Sequence, residues 1–78
     1  MLSDHRRRFL QRMDSIFNEN NLNNSEIVSV LSAKYAMMEN ERVEAARCQL
    51  ADLLITEKLS IQEGRDLIAE YYQKIILI

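Results

Sequence analysis

The chain has 78 residues, a net charge of −2, 47% hydrophobic residues, one cysteine, one histidine, one glycine and no proline. At this length roughly 60% of the unfolded surface can be buried, so one small domain with a modest core is expected, and such domains usually need a disulfide, a metal or a partner chain. A lone Cys48 and a lone His5 exclude an intrachain disulfide and a compact Cys/His zinc site, which leaves association with a second chain.

Charge is uneven. Arg6, Arg7, Arg8 and Arg12 face only Asp4 within the first 13 residues, a surplus of three positive charges on a remainder of net −5. No apolar run approaches the roughly 18 residues that span a bilayer, and the start lacks the apolar core of a signal peptide, so a cytoplasmic protein is expected.

Ser3 reads as the cap of a first helix over residues 4–19, with Asp4 in its first turn favourable to the helix dipole. Phe9, Leu10, Met13, Ile16 and Phe17 recur at spacings of three and four, which makes one apolar stripe. The asparagine-rich run 18–24 then reads as a turn, because asparagine competes for backbone hydrogen bonds and tolerates left-handed geometry.

Asn23 and Glu26 have the spacing of a capping box, and Leu22 and Ile27 that of a hydrophobic staple, so a second helix starts at Asn24. Its stripe runs through Ile27, Val30, Leu31, Tyr35 and Met38, is interrupted by Glu39-Asn40-Glu41-Arg42, and resumes at Val43, Ala46, Leu50, Leu53 and Leu54. No glycine or proline stops the helix, and Glu, Arg and Met are strong helix formers. The favoured reading is one helix over 24–57; the other breaks it near Asn40. A helix of about 34 residues would reach roughly 50 Å, more than a compact monomer of this size needs, which favours pairing of two chains.

Ser60 and Glu63 form a second capping box, which opens a last helix over 61–77. Leu67, Ile68, Tyr71, Tyr72, Ile75 and Ile78 share its stripe, and Glu70 with Lys74 has the i,i+4 spacing of an ion pair. The expected fold is all-α, a hairpin or bundle of three helices over residues 1–78 completed by dimerisation.

The constellations that carry catalysis are missing. One glycine cannot build a phosphate-binding loop. His5 has no sequence-evident partner for nucleophilic chemistry, and Cys48, near the apolar stripe, reads as a small buried hydrophobe. The acidic residues Glu39, Glu41, Glu44, Glu63, Asp66 and Glu70 read as solvated faces at helical spacing. No catalytic residue, metal or cofactor is expected.

The function expected is therefore non-enzymatic: a small regulator, adaptor or chaperone-like protein that binds protein through helix faces, as a homodimer. Tyr72, Ile75, Ile76 and Ile78 are the candidates for self-association; Tyr35 and Tyr71 read first as core and second as interface anchors, and Met37 and Met38 read either as an adaptable surface or as a gap-filled core. Arg6, Arg7, Arg8 and Arg12 are the candidates for a charged partner, since the guanidinium fork fits carboxylate or phosphate. The alternative is a nucleic-acid-binding regulator that uses this arginine-rich helix, against which the overall negative charge counts. A surface-lying amphipathic helix built from the same arginines with Phe9, Leu10, Met13 and Phe17 is a third reading.

Overall fold

A computed structural model describes residues 2–32 and 40–76, with the side chains of residues 2 and 3 excepted. Among these residues four α-helices follow one another without strands: α1 (Leu2–Glu19), α2 (Asn24–Leu31), α3 (Glu41–Thr56) and α4 (Ile61–Ile76). The expected three-helix arrangement is therefore corrected to four. The first helix already includes Leu2, so Ser3 lies within its first turn and not at the cap.

The continuous helix over 24–57 does not form. Ser32 closes α2 in extended geometry (φ −117°, ψ 123°), and Asn40 is extended again (φ −151°, ψ 120°) as the N-cap of α3. The Asn40 side chain accepts from the backbone N–H groups of Arg42 and Val43, which satisfies two of the orphan donors of a helix start. Tyr35, Met37, Met38 and Glu39 lie outside the described residues. With the long helix gone, its length no longer argues for pairing: the longest extent is 37 Å, and the Cα radius of gyration of 11.9 Å is close to the roughly 11.5 Å of a compact chain of this length.

Both expected capping boxes are present. Asn23 Oδ1 accepts from Glu26 N–H while Glu26 accepts from Asn23 N–H, and Ser60 Oγ and Glu63 do the same at the start of α4. The other ends of α1 and α3 close with a common device that lacks its usual glycine. Asn21 and Lys58 take left-handed φ of 56° and 55°, and paired backbone bonds run Asn21→Asn18 with Leu22→Phe17 and Lys58→Ile55 with Leu59→Leu54. This is the Schellman pattern, and Leu22 and Leu59 just beyond it pack back onto the core.

Helices α1 and α2 each pack across both α3 and α4. Phe9, Met13 and Phe17 form a ridge on α1 that is at most 1% exposed. Ala46, Leu50 and Leu53 of α3, Leu67 and Tyr71 of α4 and Ile27 of α2 complete the core around it. Gly64 lets α4 approach α3: a Cβ there would stand 3.3 Å from Leu54 Cδ2, closer than most such contacts.

One buried carboxylate ties the fold across the α2–α3 interval. Besides its capping bond, Glu26 accepts from Asn40 Nδ2 at 2.7 Å and from the Arg42 guanidinium. Arg42 also donates to the Asn21 carbonyl at 3.0 Å. Thus the caps of α2 and α3 meet at a single acidic group, and Arg42 links it to the turn after α1.

Met13→Ala, which empties the middle of the α1 ridge, is expected to cost about 2–5 kcal/mol in urea denaturation, whereas Ile55→Ala at an exposed position should stay within about 0.5 kcal/mol.

Candidate protein-binding surface

Three of the four candidate arginines are held by carboxylates of the same chain. Arg6 of α1 clamps Glu70 of α4 through two nitrogens, with Nε at 2.8 Å. Arg7 pairs with Asp4 one turn before it, at 2.8 Å, and Arg12 reaches Glu57 at the end of α3, at 2.9 Å. Arg8 is exposed and makes no ion pair among the described residues. His5 is not isolated, since its Nδ1 stands 3.8 Å from Glu57.

The Glu70–Lys74 pair expected from spacing does not form: Glu70 turns to Arg6, and Lys74 bonds Asp14 of α1 at 3.0 Å. Asp14 also accepts the Tyr71 hydroxyl proton in a short hydrogen bond. The Tyr71 ring meets Phe17 edge-on at 5.3 Å and lies 5.4 Å beneath the Lys74 ammonium. This cluster fastens α4 to α1.

Among the described residues, no group of three or more His, Cys, Asp or Glu side chains is placed to hold a metal, and no helix is long and apolar enough to cross a membrane. Cys48 is exposed and not buried. At about 100° per residue it points well away from the Val43–Ala46–Leu50–Leu53 stripe. Phe9, Met13 and Phe17 are committed to the core, so a surface-lying helix built on them would require the fold to open.

Among the described residues, the large exposed apolar side chains belong to α4 and the end of α3. Ile61 is 78% exposed, Ile55 74%, Ile76 59% and Tyr72 36%. At about 100° per residue Ile61, Ile68, Tyr72 and Ile76 share an arc of about 80° along α4, with Arg65 among them; Ile68, in the middle, is half-buried and packs against the core. This stripe lies beside the one that faces the core through Gly64, Leu67 and Tyr71. Of the four self-association candidates, Tyr72 and Ile76 are exposed, Ile75 is half-buried against the core, and Ile78 lies outside the described residues.

At the N-terminal end of the stripe, where α3 turns into α4, Leu54, Ile55, Leu59, Ile61 and Ile68 line an apolar cleft of about 400 Å³. Ile55 and Ile61 were not among the residues singled out by sequence. Ile61 is legible afterwards, since it stands seven residues before Ile68 on the line of Tyr72. Ile55 follows the core residues Leu53 and Leu54 and reads as part of their run.

No protein-family model, curated protein or solved structure matches the chain.

The titrating groups give stability a predicted shape. The hydrogen bond from Arg6 holds the Glu70 carboxyl below its ordinary range, and the Ser60 backbone N–H does the same for Glu63. Their contribution is present above the unfolded carboxylate value of about 4.3 and is lost as pH falls through the lowered folded values. Burial, followed by the bond to Asp14, raises the Tyr71 hydroxyl far above its ordinary range. That contribution is present below about pH 10 and is lost as pH rises through the raised folded value. A pH series of urea midpoints should fall at both ends, with the alkaline fall reduced by Tyr71→Phe and the acid fall partly reduced by Glu70→Gln.

Proposed function

We propose that this is a non-catalytic protein that works by helix-mediated binding to protein, as a homodimer, in a regulatory, adaptor or chaperone-like role. One observation carries the reading: large apolar side chains stand exposed along α4 and the end of α3, next to an apolar cleft, while Gly64, Leu67 and Tyr71 of the same helix are buried. Scattered exposed apolar residues are ordinary, but a contiguous stripe beside a cleft is the form that protein-binding faces take.

The polar side chains support the same reading by what they are engaged in. Tyr71, Asp14, Lys74, Arg6, Glu70, Arg12 and Glu57 hold helices to one another. Nucleic-acid binding through α1 would require Arg6, Arg7 and Arg12 to leave carboxylates for phosphate, on a chain of net charge −2. We therefore set that alternative behind protein binding.

A helix of 16 residues is about 24 Å long and about 10 Å across. Such a face is smaller than the roughly 800 Å² per partner of a standard stable interface, so a dissociation constant on the order of micromolar is expected. Light scattering over a dilution series should show a dimer that separates into monomers. Ile61→Asp/Ile76→Asp should be monomeric throughout with unchanged helicity, because both positions are exposed. A wild-type monomer at every concentration would contradict the homodimer.

A further inference from the structure

Resting on that homodimer reading, we infer that the occupant of the α3–α4 cleft is the Ile76 end of α4 from a second copy of this chain, with the two α4 helices packed antiparallel about a twofold axis near Ile68 and Ala69. The cleft runs along the first half of α4, from Ile61 to Ile68, and the exposed Ile76 lies at the other end of the helix. Ile61 and Ile76 are about 22 Å apart at 1.5 Å per residue. Parallel pairing would set cleft against cleft and leave both unfilled. Antiparallel pairing seats each Ile76 in the other copy's cleft, beside Ile55 and Ile61, and closes the interface on itself as a twofold contact requires.

The order of side chains along the stripe fits the same direction. Read toward each other from the two ends, Ile61 meets Ile76, Arg65 meets Tyr72 and Ile68 meets Ala69. Arg65 is exposed, sits within the apolar stripe and makes no ion pair among the described residues. Antiparallel packing places its guanidinium over the partner's Tyr72 ring, a favourable cation–π contact. Parallel in-register packing would instead oppose Arg65 to Arg65, two like charges in a water-poor contact.

The contact also enlarges the interface. The stripe of α4 alone falls short of a standard interface, and the cleft adds Leu54, Ile55 and Leu59 from beyond α4. Lys58 and Arg65 line the cleft beside these apolar side chains.

The test is directional cross-linking in the full chain, with Cys48→Ser as background so that the exposed native thiol takes no part. Cys48→Ser/Ile61→Cys and Cys48→Ser/Ile76→Cys are mixed in a thiol–disulfide buffer, each having first been checked by light scattering for the wild-type dimer. A disulfide needs Cα atoms within about 7 Å, so antiparallel packing should give the mixed 61–76 disulfide about tenfold in excess over either homodisulfide. Predominance of 61–61 and 76–76 products in an intact dimer, or no disulfide at any of these positions, would overturn the antiparallel arrangement while leaving the homodimer standing. A monomer at all concentrations would overturn the homodimer itself.

Discussion

Everything in this fold leans on the ridge that Phe9, Met13 and Phe17 make on α1. These three side chains are at most 1% exposed, and α3 and α4 both pack against the helix that carries them. Among the described residues one cluster of buried apolar side chains carries the core, and a missing member leaves a void that the neighbours only partly fill. The polar contacts around the ridge set direction. Tyr71 meets Phe17 edge-on and then delivers its hydroxyl to Asp14, so the rotation of α4 on α1 is fixed by one ring and one hydrogen bond. The rotation then decides which face of α4 is left outside.

Glu26 is the second point of constraint. It is buried to 6% exposure, and its carboxylate accepts from the cap of its own helix, the Asn23 backbone, and from the start of α3, the Asn40 amide and the Arg42 guanidinium. A buried carboxylate is tolerated only when its oxygens are satisfied. Here the satisfaction also closes the interval between α2 and α3. Arg47 extends the same tie with a bond of 3.2 Å to the Ser29 carbonyl. The short helix α2 is held to α3 by these bonds as much as by Ile27.

Local signals were readable from the chain and long-range ones were not. The two capping boxes lie within four residues each and obey spacing rules, so Asn23–Glu26 and Ser60–Glu63 appear as expected. The all-α class and the α1 stripe follow from periodicity in the same way. A break near Asn40 was legible as the second reading, since asparagine favours helix caps; what the chain did not show is that α2 already ends at Ser32 and that the Asn40 amide also donates to Glu26, 14 positions away. The same blindness replaced the expected Glu70–Lys74 pair by contacts to Arg6 and Asp14, more than 60 residues distant for Arg6 and 60 for Asp14. Cys48 was misplaced for a simpler reason: nearness in sequence to a stripe is not membership of it when each residue turns the helix by about 100°. The apolar C-terminal region was legible as a surface of interest, but Ile55 and Ile61 needed the corner between α3 and α4 to bring them together.

Helix α4 thus carries two apolar stripes, one that completes the monomer's core and one that stays outside, and the account stands or falls on that division. Isoleucine δ-methyl NMR on the wild-type protein over a concentration series tests it most directly, since every isoleucine reports its own surroundings. The account predicts shifts that move with concentration for Ile55, Ile61, Ile68 and Ile76, and constant shifts for Ile27, which is buried in the core. Concentration-dependent shifts at Ile27, or none at Ile61 and Ile76, would contradict it.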